Sequence, residues 1–224
     1  LLGLHEEAAT GYRRLLNDYP HSDLRIDAMH GVGQAWFDAG RYDESILAFE
    51  KVTAADVEPA TWSAAQYHIG EAHYRLGVYD LALAAYDALL TREPAPAEAE
   101  AATYGKAWSE FQLRQYAASR NSFLLYLATA EPGPSTIEAS FRAAECLFIL
   151  ERWEEARAAY SAFVVANEAN PDVRDIVADA ALRVGHCLQR AGDTDAARVH
   201  YANTSVLYPD QEAGHEAQYW VGEV

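Results

Sequence analysis

The chain has 224 residues, half of them hydrophobic, with 34 Asp and Glu against 17 Lys and Arg and a formal charge of −17. That is enough apolar material for one large core or two small ones, while the acidity disfavours nucleic acids and anionic membrane surfaces, whose phosphates need a cationic face. The longest apolar runs, such as CLFIL (146–150), are too short to cross a bilayer, and the opening LLGLHEEAATGYRR has no charged leader followed by an apolar stretch. The acidity itself is read as a well-solvated surface, with attraction for a basic partner as the sharper alternative.

Taken in order, residues 1–22 form one helix carrying Ala8 and, four residues on, Tyr12, and they end in DYPHS (18–22). A pattern then returns five times. Repeat 1 (23–59) holds Gly33, a break at AGRYDES (39–45), then Ser45 and Phe49. Repeat 2 (60–96) holds Gly70, LGVYDLA (76–82), Ala82 and Tyr86, and closes on REPAP (92–96). Repeat 3 (97–133) holds Ala107, LRQYAAS (113–119), Ser119 and Phe123, and closes on AEPGP (130–134). Repeat 4 (134–171) holds Ala144, LERWEEA (150–156), Ala156 and Tyr160, and closes on EANPD (168–172). Repeat 5 (172–211) holds Gly185, AGDTDAA (191–197), Ala197 and Tyr201, and closes on LYPDQ (207–211). Residues 212–224 start once more, with Gly222.

The first four small residues stand 37 apart, the fifth follows after 41 and the last after another 37. Each of the first five is followed twelve residues later by a second small residue and four after that by a ring. A period of this length is the signature of a stacked repeat. Glycine at the break takes the left-handed conformation that ends one helix, and the aromatic two residues later plugs the corner. Arg114 and Glu151 stand where the glycine should be, so those turns must close without it; Thr194 replaces the corner ring in repeat 5. Proline ends the second helix and suits the start of the next, and nearby acids and serines are expected to cap helix starts. Each repeat is therefore helix A, a tight turn, helix B and a proline loop. The four additional residues before repeat 5 predict a lengthened helix A beginning near Asp172.

This pattern resembles the tetratricopeptide repeat family over nearly the whole chain. The family's small-residue position falls on Gly33, Gly70, Ala107, Ala144, Gly185 and Gly222, its Ala-x3-aromatic motif on the pairs above, and its terminal proline on Pro20, Pro94 and Pro209. Its early tryptophan is missing, and a ring stands one residue later at Tyr67, Tyr104, Phe141 and Tyr219. The resemblance implies an all-α, right-handed superhelix of antiparallel pairs, about twelve helices in a single solenoid domain over 1–224. It comprises a leading helix B, five complete repeats and a final helix A. The loops and the AQYWVGEV end resemble bacterial cell-envelope members, the Tol–Pal coordinator and outer-membrane assembly lipoprotein type. That implies a periplasmic or envelope location. The absence of a starting methionine and the part-repeats at both ends read as a piece of a larger protein.

No catalytic constellation is found, and an enzyme is not expected. His5 and His215 lack the second histidine four residues on that a zinc-protease helix requires, since Ala9 and Tyr219 stand there. No metal or cofactor site is expected. Cys146 and Cys187 occupy equivalent positions in consecutive helices A, roughly 10 Å apart as packed helices are, too far for a disulfide. They are expected as two buried thiols. The function expected is a non-catalytic scaffold for a partner protein or peptide. A cytosolic peptide-sensing regulator and a self-assembling module are the alternatives.

By the resemblance, helices A line the concave groove. Residues three before, one after and four after each small residue share one helical face. They are Tyr67, Glu71 and Tyr74 in repeat 2, Tyr104, Trp108 and Phe111 in repeat 3, and Phe141, Glu145 and Phe148 in repeat 4. These rings would hold apolar side chains and the two glutamates a lysine or arginine, with Trp108 the ring expected to be most exposed. The opposing reading is that rings at helical spacing pack between helices. The lysine and asparagine clamp that some family members use for a C-terminal carboxylate is absent, His30, Tyr67, Tyr104, Gln34 and Glu71 standing at its positions. Tyr219 and Trp220, on a last helix with no helix B behind it, suggest end-to-end self-association.

Overall fold

The computed structural model describes residues 2–92 and 94–224; Glu93 of the expected 92–96 loop lies outside the described residues. Twelve α-helices, a single 3-10 turn and no strand are found among them. The chain divides after Gln115 into two compact units. The N-terminal unit contains α1 (Leu2–Asp18), α2 (Arg25–Asp38), α3 (Tyr42–Thr53), α4 (Pro59–Arg75), α5 (Tyr79–Leu90) and α6 (Pro96–Gln112). The C-terminal unit contains α7 (Tyr116–Leu127), α8 (Pro134–Ile149), α9 (Trp153–Asn167), α10 (Arg174–Arg190), α11 (Thr194–Leu207) and α12 (Glu212–Glu223). Within each unit every helix packs on the next, and helices A also touch one another, α4 on α6 and α10 on α12. This is the helix-pair solenoid that the period implies.

The break between helices A and B is the same device five times. Gly40, Gly77 and Gly192 take φ of 73°, 76° and 88°. The amide after each reaches back to the fifth residue before it: Arg41 N donates to Trp36 O at 2.8 Å, Val78 N to His73 O at 2.9 Å, Asp193 N to Leu188 O at 3.0 Å. These bonds consume carbonyls that a helix end would otherwise leave orphaned. Arg114 and Glu151 hold the same conformation without being glycine, at φ 60° and 59°, and make the same bonds (Gln115 N to Glu110 O at 2.8 Å, Arg152 N to Leu147 O at 3.0 Å). Those turns therefore close with the glycine geometry and carry its strain.

Capping differs from expectation. At the starts of helices A, where loop acids and serines were expected to cap, Leu24, Glu58, Ala95, Val173 and Gln211 make no side-chain cap; of the helix-B starts whose caps are described, Asp193 receives an amide on its side chain, from Ala196 at 3.1 Å, and Arg41, Val78 and Arg152 make no side-chain cap. The tight backbone turn delivers the chain into helix B already oriented, so a side-chain oxygen is dispensable. Prolines begin α4, α6 and α8, where their missing N–H is not needed. The additional residues before repeat 5 also fall elsewhere than expected. α10 is 17 residues long, like α4 and α6, and starts at Arg174. It is α9 that grows to 15 residues against 12 in α3, α5 and α7, followed by a 3-10 turn at Pro171–Val173 that Asn170 caps. Alanine-rich WEEARAAYSAFVVAN simply has no residue that stops the helix earlier.

The repeated pairs form the core. Ser45, Ala82, Ser119, Ala156 and Ala197 are fully buried, as are Phe49, Tyr86, Phe123, Tyr160 and Tyr201. The twelve-residue spacing becomes a contact across the hairpin: Ser45 Oγ donates to Gly33 O at 2.9 Å. Small residues are required because rings lie on the backbone. A Cβ on Gly70 would meet the Tyr86 ring at 2.7 Å, and one on Gly105 would meet it at 2.4 Å from the other side. Tyr86 is thus clasped between α4 and α6. Corner rings pack as expected, Tyr42 on Phe37, Tyr79 on Tyr74 and Trp153 on Phe148, all edge to face at 5.1–5.3 Å. Both cysteines are free and buried; burial pushes the Cys146 thiol up to about 11 and the Cys187 thiol to about 12.

Candidate partner-binding surface

In the N-terminal unit, helix α4 presents Tyr67, Glu71 and Tyr74 on one face and α6 presents Tyr104, Trp108 and Phe111. Four of these six come together. Glu71, Tyr74, Tyr104 and Trp108, with Arg75 and Gly105, enclose a hollow of ≈ 200 Å³. Tyr104 meets Trp108 edge to face at 6.3 Å, and Phe111 meets Trp108 at 5.8 Å, so Trp108 is half-buried within a ring ladder rather than standing free. Gly105 matters twice, leaving room for Tyr86 behind it and for the hollow in front.

Tyr67 turns away from the hollow. It packs on Tyr86 at 6.1 Å and on His68 at 5.6 Å, and burial pushes its hydroxyl up to about 12. Glu71 is not the uncommitted charge the sequence suggested. It accepts a hydrogen bond of 2.5 Å from the buried Tyr86 hydroxyl, whose pKa is raised first by burial and then by the Glu71 charge. Arg75 approaches Glu71 at 4.0 Å from the solvent side.

In the C-terminal unit the three expected residues do not make a comparable surface. Phe141 is core, 3% exposed and wedged against Tyr160 at 5.5 Å and Phe163 at 5.6 Å. It faces the hairpin because α8 turns this position onto α9. Glu145 is committed to Arg142 at 2.6 Å. Phe148 is covered on one side by Trp153 and on the other by the Arg183 guanidinium, 5.4 Å from its ring centre. The expectation of partner-reading residues on α8 is therefore corrected for Phe141, whose ring has no open face. At the end of this unit, Trp220 lies over Tyr201 and His186 at 6.3 and 5.4 Å and donates to Glu216 at 3.1 Å. Of the pair expected to self-associate, only Tyr219 is exposed, at 61%.

The structure also shows a surface that the ring stripe did not point to. α1, α2, α4 and the start of α6 line an open trough of ≈ 740 Å³ that includes Asp27, His30, Gln34, Asp38 and Glu98. His30 and Gln34 stand at the −3 and +1 positions of repeat 1, so position was legible. Asp27, Asp38 and Glu98 lie off that stripe and carry no ring, so the search for aromatics passed them over. Burial lowers the His30 pKa, opposed by Asp27.

Comparison with known proteins bears on this architecture. A family profile described as "Tetratricopeptide repeat" matches residues 33–99, 67–134 and 104–172. No curated protein matches the chain in sequence. Solved structures match it in fold. YrrB, described as a TPR protein with an unusual peptide-binding site, has a TM-score of 0.70 at 16% identity over 95% of this chain and 100% of that one. MamA protein has 0.67 at 16%, over 84% and 94%. BtubC (BKLC) from P. vanneervenii has 0.65 at 12%, over 93% and 89%. The second and third matches start at 67 and 104, one period of 37 apart and each three residues before Gly70 and Ala107, and the matches together span more than half of the residues. The chain belongs to the tetratricopeptide repeat family, a family of helical protein-interaction scaffolds.

Proposed function

We propose that this chain is a non-catalytic scaffold, associated with the bacterial envelope, that holds a segment of a partner protein along the helix-A face of its N-terminal unit. The observation that carries the reading is the ≈ 200 Å³ hollow in which Tyr74, Tyr104 and Trp108 surround room for a side chain. Rings set around a small concavity are the usual anchors of an interface, each able to contribute more than about 1 kcal/mol. The fold neighbour YrrB, described as having a peptide-binding site, supports a peptide-holding role. The envelope location is supported by the likeness of the proline loops and the AQYWVGEV end to envelope members of the family.

A photo-crosslinking residue at Arg75, on the rim of the hollow and 55% exposed, tests both parts. It should capture a discrete partner from the periplasmic fraction of the host, while the same probe at the exposed helix-B residue Leu81 should not. Equal capture at both positions would remove the hollow from the function. Capture only from cytosol would remove the envelope assignment.

A further inference from the structure

The helices B of the C-terminal unit have a concavity of their own. α7 and α9 stand on either side of α8 and leave a groove of ≈ 280 Å³ over it. Its floor is Ala143, Ala144 and Leu147; α7 brings Leu124 and Leu127 to one wall, and α9 brings Ala159 and Ala162 to the other. The lining runs from 120 to 127 on α7 and from 140 to 147 on α8, about 10 Å or two turns of helix. Elsewhere a side chain crosses at the same register. Gln66 Nε2 donates to Ala85 O at 3.2 Å in repeat 2, Lys106 to Asp87 at 2.5 Å in repeat 3, and His200 Nε2 lies 2.8 Å from Ala181 O in repeat 5. Repeat 4 carries Ser140, Ala143 and Ala159 at those three positions, and none reaches across; Ser140 Oγ turns back to Ile137 O in its own helix, at 2.9 Å. Repeat 1 also keeps a groove, but Met29, Val32 and Trp36 fill its floor and Glu44 stands in it with Arg13 and Lys51, so its charge is mixed.

The groove of repeat 4 has one charged residue in its lining, Arg120, and no aspartate or glutamate. Arg120 Nε is buried without a hydrogen-bond partner, and its guanidinium makes no ion pair among the described residues. Glu155 feels the Arg120 charge, but Arg152 already grips that carboxylate through two bonds of 2.7 and 2.5 Å. A wholly apolar guest would cover the guanidinium and strip its water without replacing it, and a cationic guest would add a like charge; a carboxylate supplies the missing partner. The mouth is apolar as well. Leu124 is 42% exposed, and Ala162 and Ala166 face solvent. A helix laid along α7 and α9 covers that rim while one ridge of its side chains enters the groove.

We propose that this groove docks an acidic amphipathic helix of a partner protein, with two apolar side chains over Ala143 and Ala144 and a glutamate or aspartate meeting the Arg120 guanidinium. It is a second surface, independent of the helix-A face that holds a segment in the N-terminal unit.

The test uses the full chain and alanine-based helical peptides that copy the spacing of Arg120, Leu124 and Leu127. Each bears one glutamate and two leucines, with the glutamate at either end of the set, and is compared with the same peptide carrying glutamine. Affinity is read by fluorescence anisotropy. The better glutamate peptide should bind at least tenfold more tightly than its glutamine counterpart. Arg120→Gln should erase that preference, bringing the two within twofold. Ala162→Leu, on the exposed part of the wall, should weaken the glutamate peptide at least fivefold, and neither variant should lower the melting temperature. Arg157→Gln removes the same charge from an exposed site on α9 outside the groove and should leave the preference intact. Equal effects of Arg120→Gln and Arg157→Gln would reduce the preference to overall charge and overturn the proposal. A glutamine peptide that binds as tightly as the glutamate one would overturn the acidic guest, and indifference to Ala162→Leu would overturn the groove. Binding of no peptide would overturn both.

Discussion

Glu151 offers the cleanest test of how these hairpins close. It sits at φ 59°, a region where an L-residue suffers a clash between Cβ and the following carbonyl, costing roughly 1–2 kcal/mol. Its side chain is exposed. Replacing it by glycine removes the clash but loosens the unfolded chain, which gives back roughly 0.4–1 kcal/mol. The net expectation is a gain of about 0.5–1 kcal/mol. Space is not in question, because at the equivalent Gly40 and Gly192 a Cβ would meet nothing within 4 Å; conformation alone is tested. Urea unfolding should show the midpoint of Glu151→Gly raised by about 0.2–0.5 M at an unchanged slope. Glu151→Ala, which deletes the same side chain but keeps the Cβ, should not shift it. If alanine and glycine variants unfold together, the left-handed strain assigned to Glu151 is wrong, and the same inference fails for Arg114.

Three further outcomes follow from the packing. Gly70→Ala should destabilise by about 1–3 kcal/mol in thermal melts, because its Cβ would sit 2.7 Å from a ring that Gly105 pins from behind. Burial lowers the pKa of His30, His68, His186 and His200, so the unfolded chain binds more protons below its ordinary histidine value. Stability should be full above about pH 6.5 and fall as pH drops from there through the depressed folded values; a melting temperature flat between pH 7.5 and 5.5 would contradict this. The two thiols, raised to about 11 and 12 by burial, should resist a thiol-reactive dye at pH 8 until the chain is unfolded.

What the sequence disclosed and what it hid divide along a physical line. The period, the hairpins and the buried pairs were legible because each depends on residue types at fixed spacing: Gly40 and Gly77 for a left-handed turn, Ala82 and Tyr86 for a ring against a small neighbour. The lengthening of α9 was not, since nothing local distinguishes an alanine-rich helix B that runs on from a helix A that starts early. Individual groove residues were half legible. Helical spacing put Glu71, Tyr74 and Trp108 on one face correctly, but it cannot say which way a helix rolls against its neighbour, and α8 rolls Phe141 into the core. The acidic trough is assembled from four helices, so no stretch of sequence contains it.

One signal was present in the sequence and has a mechanical reading only in three dimensions. Where the buried helix-B ring is tyrosine, the residue after the small position is Glu71, Glu145 or His186; where it is phenylalanine, that residue is Gln34 or Trp108. Glu71 accepts from Tyr86 at 2.5 Å, and His186 Nδ1 lies 2.8 Å from the Tyr201 hydroxyl. Glu145 bonds Arg142 instead, and the Tyr160 hydroxyl is left buried without a partner. A double-mutant cycle measures the difference. Glu71→Leu alone leaves the Tyr86 hydroxyl buried and unpaired, costing about 1–3 kcal/mol, whereas in a Tyr86→Phe background it should cost little, giving a coupling of roughly 1–2 kcal/mol. Tyr160→Phe, by contrast, removes a hydroxyl that already lacks a partner and should be neutral or stabilising, opposite in sign to Tyr86→Phe. If Tyr86→Phe and Tyr160→Phe shift stability alike, the tyrosine hydroxyl is not what the neighbouring acid serves, and Glu71 returns to being a residue placed solely for a partner.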